Sequence, residues 1–499
     1  MTMGVGATVT TGATDRTTAS TGGSMQLVSP ILLLIMVGAL GVYGMWAESW
    51  PALLCSGVIG AVAVCLVPRN ALPAAALWIV VLLPIGYIGV PILVGRYLTP
   101  AVIIIAVWMF RLAVADRRAT IRGGLIAAPF LMLLLASAAY TQNSNRTFAW
   151  TAAFIVCVVA PALLGQVCRD DVWRTLRPTL GGIGLFLGVL AVCDFFLHLN
   201  PWTEWYVYVR TWTSGFRTTT SLGHPLTTGL VASVALVACV FPSPRARQGP
   251  YWLCAVGALA AIVLSVSRTS VIAVGVSAVI GIFSARSGAA TTQERGHRGR
   301  RLVLLVAGAT FFGAVAFSPL LSRRNASEEA ANSASYRSAL VDSAQRLISE
   351  HPWFGFGPGT SNLVYEQSDS SDALENSALQ LVVSIGVPAS LLLLLGLGVI
   401  VGVAMRRSRA GAAAGIVAFL VSATGFNVID SNPAFLTLLA PLIVCAVMPR
   451  PTFVDEAKSN ATSDRTVPCP AGDERRLHVG PGNQRKVSAR APQSSAISR

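Results

Sequence analysis

Residues 333 to 386 read SASYRSALVDSAQRLISEHPWFGFGPGTSNLVYEQSDSSDALENSALQLVVSIG, a long polar interruption in a chain otherwise built from apolar segments. It opens and closes against two of those segments, and its reading decides the fold. Runs of about 20 apolar residues, each able to cross a hydrocarbon core of about 30 Å, imply membrane-spanning helices. In such a protein, chemistry outside the bilayer belongs in the polar interruption.

Composition agrees with this. Of 499 residues, 54% are hydrophobic and 12% charged, against roughly a quarter charged in soluble domains. A membrane barrel would need short alternating strands, and the sequence has none of that pattern. The expected fold is therefore all-α: a polytopic membrane protein with about 12–14 transmembrane helices and one long extracytoplasmic loop containing a surface helix.

The formal net charge is +15. In a soluble domain that balance would suggest nucleic acid. Here most arginines lie in short connections and in the C-terminal tail, so the positive-inside bias accounts for them and no nucleic-acid partner is expected. The nine cysteines fall mostly within apolar runs, with no disulfide framework or metal-ligand spacing. Neither a metal nor another cofactor is expected.

Apolar runs lie at about 26–46, 51–67, 72–93, 97–115, 124–140, 148–167, 179–198, 223–242, 251–266, 269–285, 302–320, 377–405, 411–428 and 433–448. Basic clusters such as Arg117, Arg118 and Arg122, or Arg406, Arg407 and Arg409, occupy every second connection. That alternation places them in the cytoplasm together with both termini; Arg96 and Arg146 are single exceptions in short outer turns. Residues 1–25 read as a disordered cytoplasmic leader, 26–448 as the transmembrane domain and 449–499 as a disordered basic cytoplasmic tail. The outer segments are loops 199–223 and 322–376 and the NVIDSNP turn at Asn427 to Pro433.

Several residues on that outer face can carry chemistry. Arg210 and Arg217 stand among Trp202, Trp205, Tyr206, Tyr208 and Trp212, and a guanidinium binds phosphate oxygens bidentately. Arg268, in LSVSRTS, sits at the outer junction of two apolar helices, where an ionisable residue marks a candidate site. In the long loop, Leu340, Ala344, Leu347 and Ile348 recur at helical spacing, giving an amphipathic surface helix led by Arg337 and ended by His351-Pro352. Gly355, Gly357 and Gly359 with Pro358 then form a turn whose backbone can approach a neighbour closely. No strand precedes this turn and no helix follows at once, so it is not a dinucleotide fingerprint. Asn376 or Ser377 can cap the helix that re-enters the membrane, and Glu375 sits at its positive end, suited to capping or to general-base work.

Four spaced pieces of this face, FRTTTSLGHPLTTG, LSVSRTS, YRSALVDSAQRLISEHPWFGFGPG and ENSALQLVVSIGVPASL, resemble the O-antigen ligase and O-antigen polymerase superfamily of bacterial membrane glycosyltransferases. The first piece carries the His224-Pro225 turn that opens a helix. The resemblance implies a metal-independent, inverting transfer of a glycan from a polyprenyl-diphosphate-linked oligosaccharide to a glycan or lipid acceptor. It implies the outer face of the bacterial cytoplasmic membrane, within the lipid bilayer and alongside other polysaccharide assembly proteins. Arg217, Arg268, Arg337 and Arg210 would hold the diphosphate. The ligases carry a His just before the Asn of the last piece; here Glu375 occupies that position and is the first choice as base, with His351 and His224 in reserve. This departure leaves a polymerase or a divergent transferase favoured over a ligase. Two readings of other classes stand beside it. A transporter would show an internal repeat and charge near mid-membrane; no clear repeat is found, and Asp194, the carboxylate placed well inside an apolar run, lies toward its outer end. A non-catalytic assembly component would fit the absent loop His.

Overall fold

The computed structural model describes residues 59–60, 64, 66–83, 97–115, 117–141, 143–168, 172–203, 217–241, 251–286, 328–368 and 374–449. The leader, the tail beyond Pro449, the apolar runs at 26–46 and 302–320, and most of the run at 51–67 lie outside them. Among the described residues every regular element is helical. Besides short helical turns at Thr220–Leu222 and Val428–Ser431, these are, in chain order, α1 (Leu72–Leu82), α2 (Pro100–Ala115), α3 (Arg117–Ala139), α4 (Ser144–Val167), α5 (Val172–Leu197), α6 (Pro225–Val240), α7 (Tyr251–Ser265), α8 (Arg268–Arg286), α9 (Glu328–Glu350), α10 (Ser361–Ser368), α11 (Ser377–Arg406), α12 (Ala410–Ala423) and α13 (Pro433–Val447).

The protein is a polytopic membrane protein. Helices α4, α5 and α11, of 24, 26 and 30 residues, are long and apolar enough to cross a bilayer. The shorter α6, α12 and α13 are buried along nearly their whole length, so protein rather than lipid surrounds them. Around them α7, α8 and α11 turn large apolar side chains outward, including Trp252, Val256, Val276, Phe283, Leu391, Leu394 and Leu395. A chain that is apolar both inside and outside is solvated by lipid.

Small residues set the closest helix approach. On α5, Gly184 and Gly188 face Gly257 and Ala258 of α7, and a β-carbon at Gly188 would lie 2.3 Å from the Gly257 carbonyl oxygen. Backbones this close gain the van der Waals packing that replaces hydrophobic driving force between membrane helices. Within α4 the ladder widens to a π-turn at Ile155–Val159 just ahead of Pro161, since a proline without N–H cannot keep the ordinary register.

The helices alternate between two ends of the bundle. At one end arginines tie off the last helix carbonyls: Arg177 donates to Ala238 and Cys239 at the end of α6, and Arg407 and Arg409 donate to carbonyls at the end of α13. The other end carries the long polar segment. There Leu340, Ala344 and Leu347 of α9 pack with Tyr365, Leu374 and Val383 into a small separate core. The amphipathic pattern read from the sequence is thus satisfied by α10 and α11.

Helix α10 is an element the sequence reading does not contain, since it begins two residues after Gly359. Its first turn is held by a carboxylate from far along the chain: Ser361 Oγ and the backbone N–H groups of Ser361 and Asn362 donate to Asp430. A short helix so supported needs no capping signal of its own.

Candidate active site

At the loop end, the start of α6 is fixed by local chemistry. Gly223 takes φ +70, His224 is the N-cap and Pro225 fills the first turn. The His224 Nδ1 accepts the Leu226 N–H at 3.1 Å, satisfying one of the helix's orphan donors. Its ring stacks on Phe426, with centroids 4.5 Å apart and planes at 21°. Nδ1 is therefore committed to the cap.

Ahead of His224, the loop carrying Arg217 lies against the end of α7. Thr218 N–H donates to the Leu264 carbonyl at 3.2 Å, and Arg217 Nε to the Ser265 carbonyl at 3.3 Å. Three residues beyond Ser265, Arg268 opens α8 and is exposed, with Ser267 Oγ accepting the Ser270 N–H at 3.3 Å. A guanidinium at a helix N-terminus opposes the helix dipole. Arg217, on the Ser265 carbonyl, and Arg268, at the start of α8, bring two guanidinium groups to the α7–α8 junction, a setting that favours a bound anion.

The start of α11 joins the same cluster. Asn376 Oδ1 accepts from Ala378 and Leu379 N–H at 2.9 and 3.2 Å, so Asn376 is the cap. Ser377 donates through its N–H and its hydroxyl to the Phe426 carbonyl, at 3.2 and 2.6 Å. Its oxygen in turn accepts from Val428 and Ile429 N–H. Glu375, half-buried, precedes this cap. Thr269, next to Arg268, packs on the backbone of Gly425. The segment Gly425–Phe426 thus touches the His224 turn, the Arg268 junction and the Asn376 cap.

The glycine turn lies elsewhere. Gly355, Gly357 and Gly359 all have positive φ (+64, +112 and +76); Gly357 lies against Thr141 and Gly359 against Trp150, while Gly355 approaches a break in α11. Phe356 and Gly357 N–H donate to the Val383 and Ser384 carbonyls at 3.0 and 2.9 Å, and Val387 N–H to the Pro352 carbonyl at 2.9 Å. Gly386 takes φ +80, and a β-carbon there would lie 2.3 Å from the Trp353 carbonyl oxygen. His351 is exposed, its ring edge-on to Phe356 at 4.4 Å. By helical rise the break stands about 15 Å along α11 from Asn376, so His351 and the glycines are not gathered with His224, Asn376 and Arg268. Arg337 lies on α9 with only its backbone described. Arg210, Trp205, Tyr206, Tyr208 and Trp212 lie outside the described residues.

Two charged residues that sequence reasoning did not place in the site are buried beneath the turn. Asp430, 2% exposed, has its carboxyl pushed up because burial outweighs the opposing charge of Arg146 and the hydrogen bonds from Ser361 and Asn362. Arg146 lies over the Tyr97 ring at 5.6 Å, and the neighbouring Trp150 Nε1 donates to the Ile429 carbonyl at 2.9 Å. The signals were there: an arginine breaking the charge alternation, and a carboxylate in an outer turn.

Comparison with known proteins gives one family match. Residues 253–394 match the family model for O-antigen ligase, a stretch that contains the second, third and fourth of the quoted sequence pieces. No curated protein matches the chain.

Proposed function

From this match to the O-antigen ligase superfamily, we propose that the protein is a membrane glycosyltransferase of surface polysaccharide assembly. It takes a glycan from a polyprenyl-diphosphate carrier and passes it to an acceptor hydroxyl, on the outer face of a bacterial cytoplasmic membrane. The observation that carries the reading is the gathering of the Arg268 junction, the His224 turn and the Asn376 cap on Gly425–Phe426, with Arg217 fixed beside that junction.

In this reading Arg217 and Arg268 bind the diphosphate, with Arg337 and Arg210 as further candidate ligands. The acceptor oxygen attacks the anomeric carbon from the face opposite the diphosphate. A bond forms from that carbon to the acceptor, its bond to the diphosphate oxygen breaks, and configuration inverts. Glu375 takes the acceptor proton while the arginines stabilise the charge growing on the leaving diphosphate. Glu375 in place of the ligase His favours polymerisation on a glycan acceptor.

The Asp194 carboxylate, the charge a transporter reading would look to, is taken up by backbone and hydroxyl donors of the Arg217 loop. The test is reconstitution with a purified lipid-linked repeat unit. Growth of a glycan ladder is the expected result. A protein that moves the lipid-linked unit across the bilayer without extending it would overturn the proposal.

A further inference from the structure

Asp194 stands in the last turn of α5, and its Oδ2 accepts three donors from one short loop. These are Thr218 Oγ1 at 2.9 Å, Thr219 N–H at 2.9 Å and Thr220 N–H at 3.3 Å. The loop is the one that begins with Arg217. On its other side it is anchored to the final carbonyls of α7, through Thr218 N–H on Leu264 and Arg217 Nε on Ser265. Asn200 Nδ2 donates to the Thr219 hydroxyl and the Thr220 carbonyl, and Thr228 Oγ1 donates to the Thr219 carbonyl at 2.9 Å.

At the centre of these bonds Thr220 has φ +50. A β-branched residue in the left-handed region is a true outlier, since its Cβ crowds the following carbonyl. Such a conformation persists only where its surroundings over-determine it, and strain of this kind collects at functional sites. A carboxylate accepting several N–H and O–H donors supplies charge-assisted bonds stronger than neutral ones.

We infer that Asp194 is the positioning residue for Arg217: it holds Thr218–Thr220 in the strained turn that keeps the Arg217 guanidinium on the Ser265 carbonyl, at the junction that Arg268 follows. This rests on the proposal that Arg217 binds the carrier diphosphate. The role of Asp194 is to remove the loop's freedom, so that little ordering remains to oppose ligand binding. Asp194 itself does not touch substrate.

The experiment uses the full chain in lipid nanodiscs, with polyprenyl diphosphate as the probe and wild type, Asp194→Ala, Asp194→Asn, Thr218→Val and Arg217→Ala compared. Asp194→Ala is expected to weaken binding by roughly ten-fold, the loss of about one charge-assisted hydrogen bond, and to speed amide exchange at Thr219 and Thr220. Asp194→Asn, which keeps an acceptor oxygen, restores most of both. The isosteric Thr218→Val, which removes one donor and leaves the carboxylate, falls between. Thermal stability of the bundle measured alongside excludes general unfolding, and Thr218→Val keeps the test open should Asp194→Ala fold poorly. Wild-type affinity in Asp194→Ala together with lost affinity in Arg217→Ala overturns the positioning role. Wild-type affinity in Arg217→Ala overturns instead the diphosphate reading on which it rests.

Discussion

The ring of His224 lies on the ring of Phe426, 4.5 Å between centroids, while the Phe426 carbonyl accepts both the N–H and the hydroxyl of Ser377. One residue thus joins a helix start at position 225 to another at position 377. Phe426→Ala removes the stack and opens a cavity costing about 3–5 kcal/mol, whereas Phe426→Leu keeps most of the volume and costs less than about 1.5 kcal/mol. Thermal unfolding in detergent should separate the two variants. Glycan transfer by the Leu variant should still fall, because the His224 ring loses its support.

Arg217→Ala and Arg268→Ala are expected to abolish complementation of surface polysaccharide at normal membrane abundance, as is Arg337→Ala. Lysine at 217 or 268 should not rescue, because an ammonium cannot match the bidentate fit of a guanidinium to phosphate oxygens. Wild-type polymer from any of these variants removes that residue from the site.

Gly386→Ala meets two penalties, a positive φ and a β-carbon against the Trp353 carbonyl oxygen. The backbone penalty alone is on the order of 1–3 kcal/mol. The expected outcome is a lower unfolding temperature and faster proteolysis between α9 and α11, with α5 and α7 still paired as judged by cysteine cross-linking.

Asp430 predicts an acid-favoured loop. Its carboxyl is held above the ordinary range by burial, so the folded state binds the proton more tightly than the unfolded state. The stability it contributes is complete below about pH 4, the unfolded value, and is lost as pH rises through its folded value. Amide exchange at Asn362 and Ile429, corrected for intrinsic rates, should quicken over that window. Asp430→Asn should flatten the slope, and a slope unchanged in that variant would show that another group governs it.

Much of the architecture was legible because it rests on local pattern. Apolar runs mark helices directly, and eleven of the fourteen correspond to helices among the described residues. The α9 stripe was readable from Leu340, Ala344 and Leu347, and the Asn376 cap from residue type. What the sequence hid depends on long-range partners. Helix α10 is held at its start by Asp430, 69 positions away from Ser361. Phe426 has no polar chemistry of its own and gains its place only when three separate segments meet. Asp194 reads as a charge inside a membrane run because the loop that satisfies it comes 24 to 26 residues later.

The break at Gly386 also divides α11 into two parts with different partners. Above it, Ser377–Gly386 is bonded to the turn at Pro352–Gly357 and belongs with the loop structure. Below it, Val387 to Arg406 is a mostly apolar helix whose length, at about 1.5 Å per residue, comes to about 30 Å, the thickness of the hydrocarbon layer. The glycine works as a divider: it leaves behind it a helix of the length a bilayer requires and gives residues 377–385 before it to the loop.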